Sequence, residues 1–148
     1  MIRVHGTSVA LGGDGILLRG PSGSGKSDLA ARLIDGGARL VADDQTELRL
    51  VAGALRVSAP RTIAGLMELR GIGILPVPSV ASAVLRLVVD LVAPERLDRL
   101  PEPQRCLLLG VNLPLIALAP FEASAPAKLR LALRALGAAA PGALFTAS

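Results

Sequence analysis

Gly20, Pro21, Ser22, Gly23, Ser24, Gly25, Lys26 and Ser27 spell G-x-x-x-x-G-K-[ST], a spacing with a mechanical meaning. Glycines at these positions free the backbone to curl, so that successive N–H groups point at phosphate oxygens. Lys26 can reach the outer phosphates of a bound chain, and the Ser27 hydroxyl can bind Mg²⁺. A helix opening at Ser27 turns its positive end toward the same anion. A glycine- and serine-rich turn that binds nothing is the bland alternative. The pattern is complete, however, and it lies between an apolar run (Ile16, Leu17, Leu18) and an amphipathic stretch. That context favours a nucleoside triphosphate or another phosphate-rich ligand.

Asp43 and Asp44 form the second signal. Two carboxylates closing a short strand, shortly after a phosphate loop, can hold Mg²⁺ or take a proton from an attacking hydroxyl. Neighbouring side chains on a strand point to opposite faces, so the two need not share one role. His5 is the only histidine and, taken alone, reads as an ordinary hairpin residue. Glu68 and Arg70 precede Gly71-Ile72-Gly73, either a surface glycine loop or a place where the backbone closely approaches something. Leu97-Asp98-Arg99-Leu100 passes alone as a solvated turn.

The elements that must position these groups follow from periodicity and turn chemistry. Residues 4–11 alternate and meet Gly12-Gly13-Asp14-Gly15, which predicts a hairpin over 2–19. Residues 27–35 carry Leu29, Ala30, Leu33 and Ile34 on one helical face, ended by Gly36-Gly37. Strands are predicted over 39–42, 47–51 and 54–57, the last two joined at Ala52-Gly53. Residues 60–69 read as a short helix or loop, and 71–78 are rich in structure breakers. A buried strand over 84–92, a charged connection over 94–103 and strands at 106–109 and 115–118 follow. The last helix spans 127–136, with Pro126 in its first turn and Ser124 as a cap; a frayed tail begins at Ala138. No repeat or internal boundary divides the 148 residues, which predicts one α/β domain around a mixed sheet.

Composition narrows the partners. Phe121 and Phe145 are the only rings of the Phe/Tyr/Trp kind, so the core is aliphatic and single-stranded nucleic acid lacks stacking platforms. The formal charge of +4 is spread over scattered arginines, without a basic cluster. Cys106 stands alone in an apolar run, which excludes an intramolecular disulfide, suits a reducing cytoplasm and predicts a buried, inert thiol. The longest apolar stretch, 80–93, is interrupted by Arg86 and Asp90, which argues against a membrane span.

In their order along the chain, His5-Gly6, the phosphate loop, Leu40-Val41-Ala42-Asp43-Asp44, Glu68-Leu69-Arg70-Gly71-Ile72-Gly73-Ile74 and Leu97-Asp98-Arg99-Leu100 resemble the catalytic domain of the HPr kinase/phosphorylases. The Glu-x-Arg-Gly-x-Gly segment makes the match more specific than the phosphate loop alone. The resemblance implies a mixed-sheet kinase fold akin to phosphoenolpyruvate carboxykinase. It further implies Mg²⁺- and ATP-dependent (sometimes pyrophosphate-dependent) phosphorylation of a serine on the phosphocarrier protein HPr in the cytoplasm, and a hexamer. It makes His5, Lys26, Asp43, Asp44 and Arg99 catalytic, with Asp44 the proton acceptor, and puts Ser27, Asp43 and Glu68 on the metal. The N-terminal domain of bifunctional members has no counterpart here. Their Pro-Val-Arg-Pro-Gly-Arg-Asn segment has none either: residues 112–120 contain no arginine, which leaves the reverse phosphorolysis open. The short form is similar to compact alphaproteobacterial versions, which suggests a regulatory pathway of nitrogen or carbon metabolism. A small-molecule kinase or nucleotide hydrolase, and a catalytically silent nucleotide sensor, are the rival expectations.

Overall fold

Gly6 divides what reads as one opening strand. A Cβ at this residue would stand 2.9 Å from both Leu17 Cδ1 and the Leu18 carbonyl oxygen, closer than real Cβ atoms come. In the computed structural model, which describes residues 1–138, the chain therefore breaks here into β1 (Ile2–His5) and β2 (Thr7–Leu11). The two go to different neighbours. β2 turns at Gly12-Gly13 and pairs antiparallel with β3 (Asp14–Arg19), and its other edge takes β4 (Arg39–Ala42). β1 instead pairs with β5 (Gln45–Val51), His5 standing opposite Gln45. The hairpin predicted over 2–19 is thus confined to its second part, and the strand crossing brings His5 beside the β4–β5 turn that holds Asp43 and Asp44. Gly6→Ala should cost about 1–3 kcal/mol of stability, the usual penalty of overpacking, read as a lowered urea midpoint. An unchanged midpoint would show that the crossing has slack.

The remaining elements build outward from β3. β6 (Ala54–Ser58) folds back on β5 through Ala52 and Gly53, both at positive φ (51° and 81°), as a tight two-residue hairpin requires. β9 (Ser82–Leu91) runs parallel to β3; its other edge pairs first with β6 and then, from Val88, with β11 (Val111–Leu118) in parallel. β10 (Gln104–Leu108) pairs with β11. Pro114 interrupts nothing, because the β9–β11 ladder begins one residue later, at Leu115. Among the described residues the main sheet has nine strands, ordered β1-β5-β6-β9-β3-β2-β4 with β11 and β10 branching from β9. The segment 60–78 forms a short 3-10 turn (Arg61–Ile63) and a separate hairpin of β7 (Leu66–Leu69) and β8 (Gly73–Pro76), more order than the breakers suggest.

Two helices cover one face of this curled mixed sheet. α1 (Lys26–Asp35) buries Leu29, Ala30 and Leu33, and ends where Gly36 N–H donates to the Arg32 and Leu33 carbonyls. α2 (Ala125–Ala138) begins two residues earlier than its periodicity indicates, with Ser124 O accepting from Lys128 N–H in the N-cap position. The predicted tail past Ala138 lies outside the described residues.

β3 and the C-terminal half of β9 are buried on both faces, which is why Ile16-Leu17-Leu18 and Leu87-Val88-Val89 read as apolar runs. Ile16, Leu18, Leu87 and Val89 pack with Leu29, Leu33, Leu129 and Met67; Leu17, Leu85 and Val88 pack on the other face with Val41, Leu48, Leu55 and Val57. Leu85 and Leu87 face opposite ways although two apart, because the register shifts between them. That shift keeps the C-terminal end of β9 in phase with β3, at the end where the phosphate loop starts.

Candidate active site

Arg19, the last residue of β3, grips Asp90 of β9 with two hydrogen bonds (Nε–Oδ1 2.8 Å, Nη2–Oδ2 3.1 Å), tying the two strand ends together below the loop. The Asp90 carboxylate pushes the Arg19 pKa further above its ordinary value. Arg19 Nη1 also donates to Cys106 Sγ at 3.5 Å. The thiol is half-buried rather than buried, since β10 pairs with β11 alone and lies at the rim of the sheet.

The loop itself is tightly wound. A Cβ on Gly20 would meet Ser24 Oγ at 2.5 Å; Gly23 and Gly25 sit at φ 81° and 101°, which L side chains rarely adopt. Lys26 is only 6% exposed, and its Nζ donates back to the Gly20 and Pro21 carbonyls at 2.6 and 3.0 Å. Gly25 occupies the N-cap position of α1, and no side chain caps it. The first-turn N–H groups are therefore left for an anion.

Asp43 and Asp44 divide their labour. Asp43 is buried and fully engaged: Oδ1 accepts from Ser27 Oγ at 2.7 Å and Thr7 Oγ1 at 3.2 Å, and Oδ2 from the Glu68 backbone N–H at 3.1 Å. Its charge thus bears on the cleft through the Ser27 hydroxyl, and it also ties β7 to the main sheet. Asp44 is exposed and adopts φ 65°, the left-handed conformation that Asp tolerates better than most residues. Its backbone N–H donates to Thr7 Oγ1 (3.1 Å), its carbonyl accepts from Gly6 N–H (2.9 Å), and its Oδ1 lies 2.6 Å from His5 Nε2. An ionised Asp44 only accepts, so His5 Nε2 is the donor.

These groups open onto a cleft of about 520 Å³ lined by the loop, Asp28 and Ala31 of α1, Asp44, the β7–β8 hairpin with Glu68 and Arg70, and Phe121. Lys26, Ser27, Asp44 and Glu68 meet there, and His5 and Asp43 join through hydrogen bonds to them. Arg99 does not: it is exposed on the connection between the 3-10 turn Pro94–Arg96 and β10, outside the lining. Thr7, Arg70 and Phe121 belong to the site although sequence patterns did not single them out as site residues. Thr7 carries a signal only in hindsight of Gly6, as the hydroxyl next along the strand after the crossing. Phe121 is the one ring of the Phe/Tyr/Trp kind among the described residues.

The arrangement fits a nucleoside triphosphate with Mg²⁺. Ser24 Oγ is buried without a hydrogen-bond partner among the described residues, next to glycines that keep the loop free of side chains. With its proton given to Asp43, Ser27 Oγ keeps lone pairs for a cation. Among the described residues no three His, Cys, Asp or Glu side chains gather as a metal cage. Mg²⁺ asks for none, taking one or two protein ligands, waters and substrate phosphates.

A curled mixed sheet covered on one face by two helices defines a mixed α/β domain. The family model of the HPr Serine kinase C-terminal domain matches residues 1–121, and the chain belongs to that family. It is 48% identical over 77 residues to the HPr kinase/phosphorylase of Clostridium tetani, covering 52% of this chain and 25% of the relative. The same enzyme of Caldanaerobacter subterraneus matches at 45% over 95 residues, covering 62% and 31%. The matches thus span only about a quarter to a third of those relatives' length. The solved Hpr(Ser) kinase/phosphatase from Coxiella burnetii superposes with a TM-score of 0.80 at 29% identity, over 90% of this chain and 89% of that one. Among the described residues no helix is long and apolar enough to cross a membrane.

Proposed function

We propose that residues 1–148 form one kinase domain that transfers the γ-phosphoryl group of ATP to a seryl hydroxyl of HPr in the cytoplasm, as part of a hexamer and with the phosphoenolpyruvate-carboxykinase-like fold the resemblance implies. The observation that carries this is the split carboxylate pair: Asp43 locked to Ser27, and Asp44 held by His5 at the same cleft. One acid organises a cation site while its neighbour stays open to an incoming hydroxyl. The similarity to an HPr kinase/phosphorylase of Clostridium tetani and to the Hpr(Ser) kinase/phosphatase of Coxiella burnetii supports the same substrate.

In the step, the seryl oxygen bonds to the γ-phosphorus as the bond to the β–γ bridging oxygen breaks, and ADP leaves with that oxygen. The seryl proton passes to Asp44, whose second oxygen is free while His5 holds Oδ1. Lys26 moves from its loop carbonyls onto the phosphoryl oxygens, and the loop N–H groups hold the chain in line. Mg²⁺, held by Ser27 with Glu68 at the rim of the cleft, would neutralise phosphate charge. In phosphorolysis an oxygen of inorganic phosphate would bond to the phosphorus of the phosphoserine as its bond to the seryl oxygen breaks, giving pyrophosphate, and Asp44 would return the proton to the seryl oxygen.

Purified protein with labelled Mg-ATP should label HPr, and should not label HPr whose acceptor serine is replaced by alanine. ATP turnover without any protein acceptor would favour a small-molecule kinase or hydrolase. ATP binding with no turnover would favour a sensor.

A further inference from the structure

Phe121 has no task in the transfer step, yet it is placed as if it had one. It is the one ring of the Phe/Tyr/Trp kind among the described residues, and it is 68% exposed. A ring of that size gains most when buried, so a chain with a wholly aliphatic core leaves its best apolar surface in solvent. The ring lies directly on the phosphate loop: a Cβ on Gly25 would meet Phe121 Cζ at 2.9 Å and Cε1 at 3.1 Å.

The backbone on both sides of the ring is anchored. Arg32 of α1 donates to the carbonyls of Pro120 (through Nη2) and Glu122 (through Nη1, 3.3 Å), and is itself held by Asp28 (Nε–Oδ2, 3.1 Å). Glu122 in turn meets Lys128 Nζ at 3.0 Å. A fixed backbone carrying an uncovered ring is a preorganised surface, ready to gain burial from a ligand without an ordering cost. The cleft lining has two chemistries to match. Ser22, Gly23, Lys26 and Ser27 suit a phosphate chain, whereas Ala31, Leu69, Ile72 and Phe121 offer it nothing. The apolar portion suits a flat heterocycle, which every nucleotide carries and pyrophosphate does not.

We propose that Phe121 is the platform on which the nucleobase of the donor packs, so that this cleft selects a nucleoside triphosphate over a bare phosphate chain. This rests on the phosphate-loop reading above and names the donor class for it. Because stacking is tolerant of base identity, the platform accepts purine triphosphates generally rather than ATP alone.

Calorimetry of Mg-ATP and of Mg-pyrophosphate, without HPr, on the wild type, Phe121→Ala and Phe121→Trp tests it. Phe121→Ala should weaken ATP binding roughly 5- to 100-fold, the usual worth of one base–aromatic stack, and leave pyrophosphate binding as it was. Phe121→Trp should keep ATP affinity. The exposed position makes loss of folding no obstacle, and matched melting curves check it. Equal losses for both ligands would make Phe121 a prop for the loop and overturn the proposal. So would unchanged ATP binding, including the case in which Phe121→Ala impairs only transfer to HPr, which would put the ring against the protein substrate. A wild type that binds pyrophosphate but no ATP overturns it while leaving phosphoryl transfer standing. Ring-dependent ATP binding with no labelling of HPr upholds it and removes the kinase reading alone.

Discussion

Lys26→Ala should leave a folded protein whose phosphoryl transfer to HPr, as kcat/KM, falls at least about a thousandfold. The ammonium is nearly buried and held by two loop carbonyls, so it waits next to where phosphate charge must be neutralised. Little else can take its place. The chain has one other lysine, Lys128 of α2, which is paired with Glu122. Among the described residues the one other cation lining the cleft, Arg70, is exposed on the β7–β8 hairpin. Removal of a single preorganised donor to developing charge already costs about a hundred- to a thousandfold, and Lys26 brings a full charge as well. Alanine also leaves the Gly20 and Pro21 carbonyls without this donor, so some stability is lost with the activity. Lys26→Met, which keeps the apolar stem but like alanine removes the charge and the carbonyl donor, separates lost packing from lost electrostatics. Either variant retaining a tenth of wild-type transfer, with its melting curve intact, would remove Lys26 from the step.

What could be read from the sequence was what neighbours in sequence decide. The phosphate loop, the Gly36-Gly37 end of α1 and the Ala52-Gly53 hairpin each depend on a few consecutive residues and their backbone preferences. What could not be read depends on distant pairing. Gly6 looks like any glycine in an alternating strand until Leu17 and Leu18 stand against it, and only then does β1 leave for β5. The parallel pairing of β11 with β9 and the order within 60–78 are likewise settled by partners far along the chain.

The site divides in the same way. Lys26 and Ser27 are legible from spacing, and the resemblance supplied His5, Asp44 and Glu68 in order. The separate duties of Asp43 and Asp44 come from contacts no local pattern encodes: Thr7 with both acids, Glu68 N–H with one, Gly6 with the other. Nor do they arise from strand alternation, because Asp44 sits in a left-handed turn rather than on a strand. Arg99 is the opposite case, exposed on a connection outside the cleft lining. Its short charged motif carries no information about where a connecting loop will place it. Phe121 was visible all along as a rarity of composition, but only its exposure beside Gly25 gives that rarity a meaning.

Asp44→Asn should reduce kcat by about a hundred- to ten-thousandfold, the range for losing a positioned general base, while ATP affinity stays close to that of the wild type. The substitution suits the site. Asn tolerates the left-handed conformation at φ 65° as Asp does, its amide oxygen can still accept from His5 Nε2, and the backbone bonds to Thr7 and Gly6 remain. What disappears is the negative charge and the capacity to take the seryl proton. The cation site should be spared, since Ser27 is held by Asp43 and not by Asp44. Asp43→Asn supplies the contrast: there the partners of Ser27, Thr7 and Glu68 are disturbed together, so nucleotide binding and stability should fall along with transfer. Should Asp44→Asn instead lose ATP affinity in proportion to rate, Asp44 would belong to the cation, and the proton would need another acceptor. His5 is the nearest group able to take that role, and His5→Gln would then cost as much as Asp44→Asn rather than the smaller loss expected of a residue that only orients the carboxylate.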